Sequence, residues 1–310
     1  MRKNDNPATA AVVYHKADFD GICSYAILRI ALEAHGFKVT PLPWNHGDDV
    51  PCTAGYDTVA VADCCLPNYE MLALNRENRL LWIDHHATSI RESQEAGFCV
   101  APGVRTTRTA ACALCWEQFK EFIPHLDLGE LVRILAAYDT YDKEAFPWDE
   151  VTLPLQFGLR NIYGLDAEAF FQDFRAGFPG TENADYRQDI LREGKAVLRY
   201  LRTSGRQAAE KSGFEILLAG QVKALCLLTT TCFSLPYEES ARERGCQAVV
   251  CISRSQDGSF RVSAYSADGT CPMDLGQYMK EHYQGGGHHD AAGGVLSEKQ
   301  FLALLYHKVL

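Results

Sequence analysis

The chain has 310 residues, 47% apolar and 23% charged, with a formal net charge of −10. This composition is that of a globular protein long enough for two domains, and it excludes a disordered or collagen-like chain. From residue 200 onward 11 Lys and Arg meet 11 Asp and Glu, so residues 1–199 carry the whole acidic excess, which argues against a surface for long nucleic acid.

Residues 1–7 lack the apolar run of a signal peptide and read as a short lead-in. No apolar stretch is long enough to span a bilayer, so no membrane partner is expected. Residues 10–14 form a β-type run that ends in His15-Lys16-Ala17-Asp18-Phe19-Asp20-Gly21. The spacing predicts a helix over 22–35, with Gly36 as its stop. Residues 39–44 are extended despite two prolines, and 57–62 form a strand ending in Asp63. A helix over 66–75 leads to the apolar run 80–83, which ends abruptly in Asp84-His85-His86. Strands alternating with helices predict an α/β fold with a doubly wound parallel sheet.

Helical periodicity then continues over 107–122, 128–137 and 165–174, the second running into Tyr138-Asp139-Thr140-Tyr141-Asp142. A long polar-faced helix over 185–204 is the candidate linker. Strands return at 214–219, 222–228, 248–253 and 260–265, and Asp257-Gly258 predicts that the last two pair as a hairpin. A helix over 274–282 precedes Gly285-Gly286-Gly287-His288-His289-Asp290. The expected boundaries are a parallel-sheet domain over 1–180, a helical linker over 181–212 and a smaller α/β domain over 213–310.

Twelve cysteines do not form a disulfide framework in a chain this large; reduced thiols in a cytoplasmic protein are the expectation. Cys112-x-x-Cys115 lacks a second pair at zinc-finger spacing, and Cys64-Cys65 reads as strand-end packing.

Three strand tips therefore carry acid or imidazole: His15, Asp18 and Asp20; Asp63; and Asp84, His85 and His86. Asp139, at a helix end, is a fourth candidate. Gly21 is expected to let the first of these turns be sharp. Carboxylates mixed with imidazoles suit Mn²⁺, or Mg²⁺, Co²⁺ and Fe²⁺, better than a sulfur-rich structural zinc. So many carboxylates at one sheet edge repel one another, and two divalent cations would remove that conflict. The turn is no EF-hand, because the later loop ligands are missing. The glycine run is no P-loop, because no Lys-Ser/Thr follows it.

These motifs, in this order, resemble the DHH phosphoesterase superfamily: His15-x-x-Asp18-x-Asp20-Gly21, Asp63, Asp84-His85-His86 and Asp139. Gly285-Gly286-Gly287-His288 with Ala291-Ala292-Gly293 resembles that superfamily's associated C-terminal domain. The Tyr-Asp-Thr-Tyr-Asp segment and the long helix are most similar to the oligoribonuclease (nano-RNase) branch. The resemblance implies an active-site cleft between the two domains and two divalent ions, Mn²⁺ first and Mg²⁺ or Co²⁺ as alternatives. It implies that His15, Asp18 and Asp63 hold one ion and that Asp20, Asp63, His85 and Asp139 hold the other. It gives Asp84 a role in fixing the strand tip and orienting a ligand, and His86 a role at the scissile phosphate. Gly285, Gly286, Gly287 and His288 would bind substrate.

The chain departs from the family pattern in three places. Two residues, not three, separate His15 from Asp18; Gln284 stands where many members have a fourth Gly; and Tyr265 stands where many have Arg. Arg105 and Arg108 are candidate phosphate contacts, or simply a solvated helix start. The activity implied is two-metal phosphodiester hydrolysis of short oligonucleotides or dinucleotides to nucleoside monophosphates. The same centre would serve phosphomonoesters or phosphoanhydrides, so the motifs do not choose among these. A nucleotide-binding regulator with a dead centre would have lost a ligand, and all six candidate ligands are present.

Overall fold

The computed structural model describes residues 7–98, 100–125, 127–178, 186–230, 232–256, 258–269 and 271–306. Residues 1–6 of the lead-in, the linker start at 181–185 and Asp257 of the expected turn lie outside the described residues. The chain divides into two compact units, Met1–Val197 and Leu198–Leu310.

The first unit opens with β1 (Thr9–His15), α1 (Phe19–Ala34), β2 (Lys38–Trp44), β3 (Thr58–Ala62), α2 (Asn68–Arg76) and β4 (Leu80–Ile83). The four strands form a parallel sheet in the order β2-β1-β3-β4. Tyr14 pairs with Ala62 and Ala62 with Ile83, so His15, Asp63 and Asp84 leave the sheet side by side at its C-terminal edge. Pro41 and Pro43 are tolerated because β2 is an edge strand.

Apolar residues on both faces explain the uninterrupted hydrophobic runs. Ala10, Val12, Tyr14, Ala60, Ala62 and Ile83 join the core beneath α1. Their neighbours Ala11, Val13, Val59, Val61, Leu80 and Trp82 join the opposite core, with Met71 and Leu74 of α2. Phe19, Ile22 and Met71 are essentially fully buried, each contributing about 1.5–3 kcal/mol relative to exposure.

Then come α3 (Ala87–Ala96), α4 (Ala111–Phe119) with a 3₁₀ turn (Lys120–Phe122), α5 (Leu128–Asp139), a π-helical turn (Trp148–Thr152), α6 (Leu153–Tyr163) and α7 (Ala167–Ala176). The division between units falls within α8 (Tyr186–Ser212). Several elements differ from the sequence reading. α3 starts directly after His86, and α4 begins at Ala111 rather than at 107. Residues 102–106 instead run along the open edge of β4: Trp82 N donates to Pro102 O (2.8 Å) and Asp84 N to Val104 O (3.1 Å). Arg105 belongs to this seam, with its guanidinium donating to Trp82 O (2.8 Å) and Ala101 O (2.7 Å). It braces β4 and is not part of a solvated helix start.

The second unit continues with β5 (Phe214–Leu218), β6 (Val222–Leu228), α9 (Glu238–Glu243), β7 (Ala248–Arg254), β8 (Phe260–Ser266), α10 (Leu275–Tyr283), β9 (Gly286–Gly287), β10 (Ala291–Leu296) and α11 (Glu298–Tyr306). Its mixed sheet has the order β5-β6-β7-β8-β10-β9, in which β7 and β8 pair antiparallel as expected and, among the described residues, only β6–β7 is parallel. The glycine run is not a loop but the strand pair β9–β10. A Cβ on Gly285 would lie 1.9 Å from Gly293 O, and one on Gly276 would lie 2.5 Å from Gly287 O, so glycine is required by close backbone approach. Among the described residues, no helix is long and apolar enough to cross a membrane.

Candidate metal centre

His15 ends β1, and Asp18 caps α1 by accepting from Gly21 N (3.0 Å). The cap sets Asp18 Oδ2 2.8 Å from His15 Nδ1. Gly21 does not make the turn sharp, as the sequence suggested: it lies inside α1, and a Cβ there would sit 2.0 Å from His15 O. Its absence of side chain lets the helix start pass under the β1 tip.

Asp63 follows β3 in a left-handed conformation, φ 55°. Its Oδ2 lies 3.5 Å from His15 Nδ1 and its Oδ1 lies 3.3 Å from His85 Nε2. His85 Nε2 also faces Asp139 Oδ2 at 3.2 Å and Asp20 Oδ2 at 3.6 Å. Asp139 is the last residue of α5. Asp20 is held from 91 residues away by the start of α4: Ala111 N donates to Oδ2 (2.9 Å) and Cys112 N to Oδ1 (2.6 Å). That long-range cap explains why α4 starts at Ala111, since the carboxylate satisfies its first orphan amides.

Asp84 is fully buried and accepts from His85 N (2.8 Å) and His86 N (3.3 Å), with His86 Nδ1 2.8 Å from the same Oδ1. His86 is more open, its side chain 39% exposed. One residue escaped the sequence reading. Asn45, at the end of β2, places Oδ1 3.2 Å from His15 Nε2. A donor nitrogen there means that, once the ring gives up its second proton, the lone pair falls on His15 Nδ1, the nitrogen facing Asp18 and Asp63. The only signal was its place beyond a parallel strand, on the same sheet edge as the other tips.

Three donor groups result, each with one ligand atom per residue and all atoms within 4.8 Å: His15, Asp18 and Asp63; Asp20, His85 and Asp139; and Asp63, His85 and His86. None of these groups, among the described residues, includes a cysteine. Cys64, Cys112 and Cys115 are buried thiols held protonated by burial.

The electrostatics are those of a site with too much negative charge. Burial pushes Asp63 and Asp139 up to about 7, and burial together with Asp63 holds Asp20 well above the carboxylate range. Burial opposes protonation of His15, but the Asp18 and Asp63 carboxylates outweigh it and raise His15 to about 11. Both Asp63 oxygens and His85 Nε2 are buried without a hydrogen-bond partner. Leaving such groups unmade is costly. Hard oxygen and imidazole donors aimed at common points fit divalent cations.

In the second unit, Gly286 and Gly287 form β9, and His288 N donates to Ala291 O (2.8 Å) at the hairpin end, with its side chain exposed. Gln284 is left-handed (φ 51°), a conformation a glycine would take more readily. Tyr265 lies opposite Ala291 in β8 and donates its hydroxyl to Cys232 O (2.5 Å).

No family model and no curated protein matches the sequence. Solved structures do. The pGpG-specific phosphodiesterase PggH from Vibrio cholerae aligns with a TM-score of 0.56 at 13% identity, covering 96% of each chain. The DHH domain of a member of the S1p family of ribosomal proteins aligns at 0.55 and 14% identity, over 97% of this chain and 85% of the other. An exopolyphosphatase-related protein from Bacteroides fragilis aligns at 0.50 and 12% identity, over 97% and 91%. The chain therefore has the fold of the DHH superfamily.

Proposed function

We propose that this chain is a metal-dependent phosphodiesterase that hydrolyses short oligonucleotides or dinucleotides to nucleoside monophosphates. The observation that carries the reading is Asp63, whose two buried, unpartnered oxygens each face a different imidazole. A carboxylate so placed suits a bridge between two cations. In this reading His15, Asp18 and Asp63 would hold one ion, and Asp20, Asp63, His85 and Asp139 would hold the other. Mn²⁺ is the first choice, with Mg²⁺ or Co²⁺ accepted by the same donors. Such ions, when bound, supply charge that stabilises phosphoryl oxygens and acidifies water.

The chain's own groups do the rest. Asp84 accepts from one nitrogen of His86 and raises it to about 9 in the metal-free site, which favours the imidazolium. Its other nitrogen then has a proton for the leaving oxygen. Amides at the start of α4 fix Asp20 with its Oδ2 3.6 Å from His85 Nε2. From the second unit, His288 and the Gly285, Gly286 and Gly287 backbone are proposed substrate contacts. The name of the Vibrio structure, a pGpG-specific phosphodiesterase, is in line with a dinucleotide diester. Free thiols at all eleven described cysteines suit a cytoplasmic setting.

The test is turnover by the purified protein with Mn²⁺ against dinucleotides, short RNA and DNA, cyclic dinucleotides and pyrophosphate. Asp63→Asn should abolish activity and lower bound metal together. Hydrolysis of pyrophosphate alone, with every diester left intact, would overturn the phosphodiesterase reading.

A further inference from the structure

The residues flanking Asp139 form an aromatic group outside the metal donors. α5 closes with Asp142 N donating to Ala137 O (2.8 Å) and Tyr141 N to Tyr138 O (3.2 Å). This paired closure needs a left-handed residue just past the helix cap, and that place usually falls to glycine. α3 and α7 follow the rule with Gly97 (φ 87°) and Gly177 (φ 71°). α5 instead has Tyr141 at φ 56°, and the residue is 53% exposed. A bulky residue in that conformation is strained, and its exposure means that core burial does not offset the strain.

The ring is nonetheless held in a defined setting. Tyr141 meets Trp148 edge-on, with centroids 5.1 Å apart at 74°. Trp148 in turn lies parallel to Tyr138, at 6.0 Å and 8°. Lys143 Nζ stands 4.4 Å from the Tyr141 ring centroid and 5.7 Å from that of Trp148. Trp148 opens the π-helical turn, a feature that concentrates at functional sites. Tyr138 and Tyr141 bracket Asp139, whose carboxylate faces His85 at 3.2 Å. Two peptide units separate Tyr141 from Asp139, so their Cα atoms are at most about 7.6 Å apart.

We propose that Tyr141, backed by Trp148 and Tyr138, is a stacking platform for a nucleobase of the substrate, which uses the ring face that Lys143 does not cover. This deepens the phosphodiesterase reading and rests on it. Stacking on an aromatic face tolerates any base, because every base has a π-face. Tyr141 and Asp139 belong to the same helix end, so a base on Tyr141 would belong to the substrate whose phosphate meets the metal donors. The platform selects nucleotides over base-free phosphates, a distinction the metal donors alone do not make.

Tyr141→Gly is the informative variant, because glycine suits the left-handed closure and the fold is kept. Tyr141→Phe keeps the ring. Two probes are compared by titration in Mn²⁺, adenosine 5′-monophosphate and ribose 5-phosphate, following tryptophan fluorescence, with Trp148→Phe assigning the signal. The wild type and Tyr141→Phe should prefer the nucleotide, and Tyr141→Gly should lose about 10-fold or more of that preference while melting at a higher temperature. In turnover, the KM advantage of a dinucleotide over its abasic analogue should shrink by the same factor. If Tyr141→Gly keeps the full preference, the platform is refuted. If the wild type cleaves no diester, the phosphodiesterase reading fails on its own, and the binding comparison still decides the platform.

Discussion

The Asp84 carboxylate holds His86 by Nδ1 at 2.8 Å while also accepting the backbone amides of His85 and His86. One buried side chain thus shapes the β4 tip and sets the charge of the residue that follows it. The hydrogen bond to Asp84 is the chief cause that lifts His86 to about 9, against the effect of burial.

A general acid must be protonated to act, so activity should fall as pH rises through the His86 pKa. Asp84→Asn removes the charge that lifts it. The alkaline limb of kcat should then move to lower pH, and activity at neutral pH should drop by about 10–100-fold, as for other partners that orient a functional side chain. The check is a kcat–pH profile of both proteins at saturating metal, with bound metal measured alongside. An alkaline limb that stays in place in Asp84→Asn would remove His86 from the proton-donor role.

Stability should respond to pH and metal jointly. Burial raises Asp63 and Asp139 from the ordinary carboxylate value to about 7, and His15 and His86 stand at about 11 and 9. In every case the folded metal-free state holds protons more tightly than the unfolded one. Its stability contribution is therefore present at low pH and lost as pH rises, over about 4 to 7 for the carboxyls and from about 6.5 upward for the imidazoles. Cations need the deprotonated donors, so their stabilisation grows over the same span. The Tm gap between protein in Mn²⁺ and protein in chelator should widen from pH 5.5 to pH 8. A gap that is constant or narrows would mean that these donors do not take up the metal.

Asn45 offers a separate handle on the His15 side. Its Oδ1 sits 3.2 Å from His15 Nε2 and also accepts from His46 N (2.8 Å), which fixes the amide orientation. Asn45→Ala should weaken metal affinity by about 10–100-fold, measured by calorimetry, with little change in Tm in chelator. Asn45→Asp should bind metal better than Asn45→Ala, because the acceptor is kept. Equal affinity in all three proteins would make Asn45 a bystander.

The β1, β3 and β4 tips could be read in the sequence because packing alone does not account for apolar runs that stop at acid or imidazole. What escaped depended on distance along the chain. The start of α4 is set by Asp20, 91 residues earlier, and no local window contains that cap. Residues 102–106 are an edge seam on β4, which looks from the sequence like the first turn of a helix. The glycine run was visible as a motif, but its strand pairing with β10 arises from close backbone approaches that only the fold displays. Asn45 was passed over because asparagine after a strand is an ordinary turn residue.

Substrate length follows from charge. A protein that tracks long single strands needs a positive groove along many phosphates. Here residues 1–199 carry 19 Lys and Arg against 29 Asp and Glu. Two cations near the strand tips are also engaged: Lys16 pairs with Asp48 at 2.7 Å, and Arg105 donates to backbone carbonyls of the β4 seam. Metal ions offset the acidity only locally. The preferred substrate should therefore be a few nucleotides long, and kcat/KM should fall as RNA is lengthened. Each neutralised phosphate contributes about −0.7 to the log–log salt slope for single strands, so two or three contacts predict roughly −1.4 to −2.1. The measurement is kcat/KM on RNA of increasing length at several salt concentrations. A rate that climbs steadily with length, with a slope well steeper than that range, would show that a basic track for long strands exists despite the acidic average.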